Sequence, residues 1–136
     1  PNSLKAGRKP LHTLSPTMWS VDGNLDMVIG TRGGRYQPQL LSHFILKILK
    51  NENLENAMIS PRWNIDEFGK ESVSEINIEP GLDKKIINVL INKGHKVNQL
   101  TKLQNSYGPI SAIVNTKESW KALHDIRVDT ASSIIE

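Results

Sequence analysis

The sequence has 136 residues, of which 38% are hydrophobic, and its 17 Lys and Arg against 14 Asp and Glu give a formal net charge of +3. This length fits one domain of about 100–200 residues, and no run approaches the roughly 18 apolar residues that a membrane-spanning helix needs. The absence of cysteine excludes a disulfide scaffold, a thiolate zinc site and a cysteine nucleophile. The small positive surplus is spread along the chain and gives no argument for a nucleic-acid partner.

Residues 1–16 have neither helix nor strand periodicity, and they predict an extended basic arm. The chain begins at Pro1 without a signal-peptide pattern, so we expect a processed or truncated piece of a longer polypeptide. The sequence leaves the compartment open, with the cytoplasm as the first expectation. Pro10 and Pro16 stiffen the arm around the polar residues 12–17. Those residues either cap backbone groups before the first strand or are held in place for a ligand.

A β-hairpin and a helix follow the arm. Residues 17–21 and 25–29 are predicted as two strands that flank Asp22-Gly23-Asn24, in which Asp-Gly is a strong turn signal. Residues 30–35, Gly-Thr-Arg-Gly-Gly-Arg, form a glycine-rich segment that we call the glycine loop. Pro38 suits the first turn of a helix, and the apolar residues between 40 and 49 recur with a helical period. The glycine loop is therefore predicted to join a strand end to a helix start.

The remaining elements predict an α+β fold. A short helix at 54–60 follows the cap residue Asn53 and stops before Pro61. The third helix, at 83–94, ends at Gly94. Strands are predicted at 62–66, 74–78, 96–100, 110–114 and 119–123. The tail from His124 is mostly polar. This order predicts helices layered on one largely antiparallel sheet.

Most candidate chemical groups have ordinary explanations. The four histidines, at positions 12, 43, 95 and 124, are too scattered for a metal signature, and we predict neither a metal site nor a cofactor. His43 is expected at a partly buried helix edge. Asp125, Asp129 and Glu136 are expected in a solvated tail rather than in a catalytic carboxylate pair.

The glycine loop has more than one explanation. Arg32-Gly33-Gly34 occurs only once, which is weak evidence for an RNA-binding Arg-Gly-Gly element, and the loop lacks the P-loop spacing. Two adjacent glycines can adopt positive φ and direct their N–H groups at an anion near a helix N-terminus. From the residues alone, the pair is either a tight turn or part of an oxyanion hole.

Six segments together carry a resemblance to a known family. They are Gly-Arg-Lys-Pro-Leu-His-Thr-Leu-Ser-Pro-Thr at 7–17, Gly-Thr-Arg-Gly-Gly at 30–34, Ala-Met-Ile-Ser-Pro-Arg-Trp at 57–63, Ile-Glu-Pro-Gly at 78–81, Gly-His-Lys-Val at 94–97 and Asp-Ile-Arg at 125–127. In order and spacing, the chain resembles the C-terminal part of the small subunit of the gamma-glutamyltranspeptidase family, in its transferase-like and acylase-like branch.

This resemblance implies that residues 1–136 are a single incomplete domain within a four-layer αββα sandwich of the N-terminal nucleophile hydrolase type. Such proteins are made as a precursor that cleaves itself before a Thr, which then attacks an amide and passes the acyl group to water or an amino acid. That Thr would lie upstream of Pro1. The implied activity is transfer or hydrolysis of a γ-glutamyl or related acyl group. The alternative is a non-catalytic or degenerate α+β binding module that retains only the fold.

The resemblance also implies roles for individual residues. Gly33 and Gly34 match the backbone donors of the family's oxyanion hole. His12 and Thr13 match two carboxylate-binding residues, usually both serine. Arg32 would either reinforce carboxylate binding or face solvent, and Arg35, on the other side of the glycines, has the same two alternatives.

The implied partners are the upstream segment or large subunit of the same precursor and a small γ-glutamyl or acyl-amide substrate. A homodimer of the mature heterodimer is one assembly that fits the resemblance. No nucleic acid, membrane, metal or cofactor is expected.

Overall fold

The computed structural model describes residues 3–9, 14–50, 52–65, 75–129 and 134–135. Its strands are β1 (Thr17–Val21), β2 (Asn24–Thr31), β3 (Trp63–Ile65), β4 (Glu75–Ile78), β5 (Lys96–Gln99), β6 (Ile110–Asn115), β7 (Trp120–His124) and β8 (Ile134–Ile135). The helices are α1 (Gln37–Leu49), α2 (Leu54–Ile59) and α3 (Lys84–Asn92), and a 3₁₀ turn at Gly34–Tyr36 leads into α1. No helix within these ranges is long and apolar enough to cross a membrane.

The larger sheet has five antiparallel strands in the order β1-β2-β6-β7-β8. Because side chains alternate between the two faces of a strand, alternate residues of β2 and β6 face α1 and α2 and are buried. The core of this region consists of Met27, Ile29, Leu41, Phe44, Ala57, Met58, Ile110, Ala112, Val114 and Leu123. This region supports the glycine loop at the end of β2.

The smaller sheet has three strands in the order β3-β4-β5. β3 and β4 are antiparallel, whereas β4 and β5 are parallel. A parallel pair needs a crossover connection, and α3 supplies it while burying Ile87 against Ile76 and Ile78. The prediction of one largely antiparallel sheet is therefore wrong, because the crossover through α3 separates these three strands from the five-stranded sheet.

Local sequence signals located most elements correctly. The hairpin, the three helices and the strands from β3 to β7 agree with their predicted positions to within one or two residues at the described ends. Asn53 caps α2 by accepting from Glu55 N and Asn56 N, and Asp83 caps α3 by accepting from Lys85 N. The 3₁₀ turn and β8 were not predicted. β8 is an end strand of two residues that pairs with β7, and a segment this short has no periodicity from which it could be predicted.

Candidate functional site

The glycine loop lies between the end of β2 and the 3₁₀ turn, as predicted. Gly33 has φ 139° and Gly34 has φ 56°, backbone conformations that favour glycine. The carbonyl of Gly33 accepts from Tyr36 N at 3.1 Å and closes the turn. The first N–H groups of a helix have no acceptor within the helix and carry partial positive charge. The Gly33-Gly34 backbone is therefore arranged at a position where N–H donors can face an anion.

Gly108 packs directly behind this loop. It is buried with φ 53°, and a methyl group added to it would lie 2.7 Å from Arg32 O and 2.9 Å from Thr31 Oγ1. The Thr31 hydroxyl has one proton to donate, and its nearest acceptor is Gly108 O at 2.9 Å, with Pro109 O and Arg32 O each at 3.1 Å. A methyl group on Gly33 would lie 3.3 Å from Gly108 Cα. Only glycine fits at position 108, and the position of the glycine loop depends on it.

Gly34 differs from Gly33 and Gly108 because a methyl group added to it meets no atom within 4 Å. Its constraint is conformational, since the left-handed region costs an L residue about 1–2 kcal/mol. Position 34 can therefore accept a side chain at a modest cost in folding free energy.

A cavity of about 310 Å³ opens beside the loop, lined by Gly30, Thr31, Arg32, Pro109, Ser111 and Val128. Arg32 is exposed and lines this cavity, so it both faces solvent and borders a space large enough for a small molecule. His12 and Thr13 lie outside the described residues, and the same holds for the Arg35 side chain. Of the residues predicted to bind or stabilise a substrate, the structure brings together Arg32, Gly33 and Gly34.

Four buried charged residues form a second constellation, which we call the charge cluster: Arg62, Glu79, Asp125 and Arg127, exposed by 3%, 1%, 0% and 7%. Arg62 Nη2 donates to Asp125 Oδ2 at 2.5 Å, and Arg62 Nη1 donates to the carbonyls of Tyr107 at 2.8 Å and Gly108 at 2.7 Å. Asp125 Oδ2 also accepts from Ile110 N at 3.0 Å. Arg62 thus connects the cluster to the backbone behind the glycine loop.

Arg127 links the two carboxylates. Its Nε donates to Glu79 Oε1 at 2.9 Å and its Nη1 donates to Asp125 Oδ1 at 3.0 Å, while its Nη2 also pairs with Glu79. Glu79 accepts in addition from Arg62 N at 2.9 Å and Gln104 N at 2.8 Å. Every carboxylate therefore has a cation and backbone donors, which is the arrangement that makes buried charge tolerable.

The cluster shifts the pKa values of Asp125 and Arg62. Burial alone raises the pKa of the Asp125 carboxyl, but the charge of Arg62, the N–H groups of Ile110 and Arg127 and the charge of Arg127 together hold it below its ordinary range. Burial, followed by the neighbouring charge of Arg127, lowers the pKa of Arg62, and Asp125 opposes this shift. Asp125 is therefore ionised at neutral pH and acts as a permanent acceptor.

The prediction that Asp125 lies in a solvated tail is wrong. Its side chain is fully buried at the end of β7, whereas Asp129 is exposed as predicted. Glu136 lies outside the described residues. The polar pattern of the tail concealed these ion pairs, because Glu79 lies 48 positions before Arg127 and Arg62 lies 63 positions before Asp125. The sequence did mark these four charged residues in another way, because they lie in the segments 57–63, 78–81 and 125–127 that carry the family resemblance.

His43 on α1 is partly buried, as predicted, and stacks on Trp63 of β3 with ring centroids 4.6 Å apart. Burial, and then the charges of Arg62 and Lys47, lower its pKa to about 4. The side chain is therefore neutral at physiological pH. Within the described ranges, no three His, Asp or Glu residues are grouped so that they could hold a metal ion.

Comparison with known proteins gives a consistent result. The family model described as Gamma-glutamyltranspeptidase matches residues 1–135. The chain is 29% identical over 113 residues to the Oxamate amidohydrolase proenzyme of Klebsiella pneumoniae, covering 82% of this chain and 21% of that protein. It is 28% identical over 120 residues to the Glutathione hydrolase-like YwrD proenzyme of Bacillus subtilis, covering 88% of this chain and 23% of that protein. The chain thus spans about a fifth of the length of these curated relatives.

A solved structure, the gamma-glutamyltranspeptidase of Pseudomonas nitroreducens complexed with L-DON, superposes with a TM-score of 0.78 at 20% identity. The match covers 99% of this chain and 68% of the solved chain. The predicted α+β fold, part of the αββα sandwich of N-terminal nucleophile hydrolases, is confirmed.

Proposed function

Because the chain belongs to the gamma-glutamyltranspeptidase family, we propose that it is the C-terminal portion of the small subunit of an amide hydrolase or acyltransferase. In this proposal the whole protein transfers a γ-glutamyl or related acyl group to water or an amino acid. The observation that carries it is the glycine loop, with Gly33 and Gly34 at positive φ where β2 meets the turn into α1. Matches to hydrolase proenzymes favour an enzyme over a degenerate binding module.

In the proposed reaction, the hydroxyl of an N-terminal Thr upstream of Pro1 attacks the amide carbon, and its own α-amine takes the proton. The carbonyl oxygen then becomes an oxyanion, and the leaving nitrogen departs with a proton returned by that amine. The N–H groups of Gly33 and Gly34 stabilise the oxyanion. In other enzymes, removal of one such donor lowers kcat by about 10²–10³-fold. Water or an amino acid then attacks the acyl-enzyme and releases the product.

Recognition of a substrate carboxylate is assigned to His12, Thr13 and Arg32. Arg32 supports this role because it belongs to the glycine loop and lines the cavity beside it. Arg binds planar carboxylates through two parallel N–H donors. The two relatives are named for oxamate and glutathione, both of which are amides that carry a free carboxylate. A shared requirement for a carboxylate near the amide is therefore part of the proposal.

We also propose that a second layer from the same precursor covers the outer face of the five-stranded sheet. On this face Met18 is 74% exposed and Ile113 is 43% exposed. Exposed apolar residues grouped on one sheet face are typical of an interaction surface. The isolated chain is expected to bind a hydrophobic dye or aggregate, and coexpression with the upstream segment is expected to abolish this behaviour. A cooperative monomeric transition of the isolated chain above about 60 °C, the upper mesophile range, would contradict this assignment.

The function is tested with the mature full-length protein. Turnover of a γ-glutamyl anilide and of oxamate is measured, and kcat/KM for the γ-glutamyl donor is compared with that for its neutral α-amide. Thr13→Ala and Arg32→Ala are expected to narrow this discrimination by about 1.5–3 kcal/mol, the usual contribution of a charge-assisted hydrogen bond. The Arg32 effect is expected to weaken with salt, since exposed charges are screened over about 8–10 Å.

Lys102 is an exposed basic residue distant in sequence from the loop and absent from the cavity lining, and Lys102→Ala serves as the control for loss of a positive charge. If Thr13→Ala and Arg32→Ala both kept the wild-type ratio of kcat/KM between the γ-glutamyl donor and its neutral α-amide, carboxylate recognition by Thr13 and Arg32 would be contradicted. A mature wild-type protein that cleaves none of the amides would favour the binding-module alternative.

A further inference from the structure

We infer that Arg62 is a positioning residue, which fixes the glycine loop in its catalytic geometry without touching the substrate. This inference rests on the proposed function, because the loop is taken as the oxyanion hole. Arg62 lies at the start of the smaller sheet, just before β3, whereas the loop follows β2 of the larger sheet. The connection between them runs through Gly108.

The first step is the contact between Arg62 and the backbone behind the loop. Arg62 Nη1 donates to Tyr107 O at 2.8 Å and to Gly108 O at 2.7 Å. Because one guanidinium nitrogen donates to both carbonyls, it fixes the orientation of the two peptide groups. Since Arg62 is 3% exposed, water does not compete for these bonds.

The second step joins Gly108 to the loop. Gly108 O also accepts from the Thr31 hydroxyl at 2.9 Å, and the space between Gly108 and the loop is too small for a methyl group. Any displacement of Gly108 toward the loop would therefore push on the backbone of Thr31, Arg32 and Gly33. Displacement in the other direction would release the Thr31 hydroxyl and leave the loop unsupported.

The third step explains why this anchor is rigid. Asp125 accepts from both Arg62 Nη2 at 2.5 Å and Ile110 N at 3.0 Å. The same carboxylate oxygen thus holds the guanidinium and the chain two residues beyond Gly108. The planar guanidinium has five N–H donors in fixed directions, whereas a Lys ammonium offers one charged point on a flexible stem. A Lys at position 62 can keep the charge but not all of these directions.

Arg127 provides a matched control. It is buried in the same cluster, 7% exposed, and pairs with Glu79 and Asp125. Among the described residues, its bonds reach Met58 and Ser60 but no atom of residues 107–110. Replacement of Arg127 by Lys therefore disturbs the cluster without directly removing the support of Gly108.

The experiment compares Arg62→Lys with Arg127→Lys in the mature full-length protein, at a temperature well below the unfolding transition of each variant. The rate is expressed per active site, counted from the burst of acyl-enzyme, so that misfolded protein does not contribute. The affinity for a tetrahedral boronate analogue of the acyl group is measured beside the affinity for the free acid product. A transition-state analogue reports on the oxyanion hole, whereas the product reports on ground-state binding.

For Arg62→Lys we expect kcat per active site to fall by about 10- to 100-fold, since misplacement by about 1 Å can cost a factor of 10². The inhibition constant of the boronate is expected to rise by a similar factor, while KM and product affinity change less than about threefold. Arg127→Lys is expected to lower the melting temperature and leave kcat per active site within about threefold of wild type. If the two variants had equal kcat per active site and equal inhibition constants for the boronate, the inference would be overturned.

A second pair of variants decides the question if Arg62→Lys does not mature. Thr31→Val removes the hydroxyl that binds Gly108 O, and Thr31→Ser keeps it. We expect Thr31→Val to have a lower kcat and a weaker affinity for the boronate than the wild type. Thr31→Ser is expected to have wild-type values of both. Wild-type values in both variants would overturn the inference. An inactive wild-type protein would instead overturn the proposed function, and with it this inference.

Discussion

The five-stranded and three-stranded sheets are stabilised in different ways. Among the described residues, the larger sheet with α1 and α2 has ten buried apolar residues in one core, whereas the smaller sheet and α3 have three. Burial alternates from residue to residue along β2 and β6, as expected for strands with one face against a core. The smaller region instead packs α3 through Ile87 alone onto Ile76 and Ile78 of β4, within its described buried core.

The two regions meet through polar contacts rather than through a shared apolar core. The charge cluster joins the end of α2, the start of β3, the end of β4 and the end of β7. His43 adds a second contact by stacking on Trp63. Within this cluster, Arg62 donates to Gly108 O behind the glycine loop, so the proposed catalytic geometry depends on the member of the cluster that reaches the loop's support.

The largest effect is expected from breaking the charge cluster. Asp125→Ala leaves two buried guanidinium groups with one carboxylate, and loss of one partner of a buried ion pair typically costs about 3–5 kcal/mol. Asp129→Ala, an exposed position four residues later, is expected to change stability by less than about 0.5 kcal/mol. Denaturant unfolding of the mature full-length protein checks both values. Equal stability of the two variants would show that the cluster does not hold the regions together.

An intermediate effect is expected from acid. The folded pKa of His43, about 4, is below its ordinary value of 6.5, so the unfolded chain binds its proton more tightly. The stability that neutral His43 contributes is therefore fully present above about pH 6.5 and is lost as the pH falls toward 4. The loss is expected to be less than about 3 kcal/mol, because the side chain is only partly buried and solvent screens part of the effect. His43→Phe retains a ring against Trp63 and is expected to reduce this slope.

The pH dependence is measured as the denaturant midpoint between pH 7.5 and 4, with His95→Gln as the control because His95 is exposed. The control is expected to follow the wild-type curve. A His43→Phe curve parallel to wild type would indicate that other groups cause the acid sensitivity.

The smallest effect concerns the two apolar cores. Ile29 is 0% exposed in the larger core and Ile87 is 6% exposed in the smaller one. Removal of one methylene group from a buried Ile typically costs 0.5–1.5 kcal/mol, about 1 on average. We expect Ile29→Val to lower the free energy of unfolding by an amount near the upper end of this range. Ile87→Val is expected near the lower end, because the described core around Ile87 is smaller. The reverse order in denaturant unfolding would contradict the proposed difference in packing.

Sequence reasoning succeeded where structure is decided locally. Turn residues, caps and apolar periodicity located the hairpin and the helices, and the glycine loop was placed correctly between strand and helix. It failed where structure depends on distant partners. Asp125 and Arg62 are 63 positions apart, and neither has a local pattern that indicates a buried ion pair. The parallel pairing of β4 with β5 likewise follows from the crossover through α3, which periodicity alone does not indicate.

The most direct measurement of the central claim is kcat for Gly34→Ala in the mature full-length protein. A methyl group at position 34 meets no neighbour, and φ 56° costs an L residue about 1–2 kcal/mol. Relief of this cost is expected to rotate the local backbone and turn its N–H groups away from the oxyanion while the fold persists. Gly94→Ala is the matched control, since Gly94 also has positive φ, 85°, and open space around it. The account predicts a loss of about 10²-fold or more for Gly34→Ala, as for other disrupted oxyanion holes, and near-normal kcat for Gly94→Ala. Equal kcat in the two variants would contradict an oxyanion role for the glycine loop.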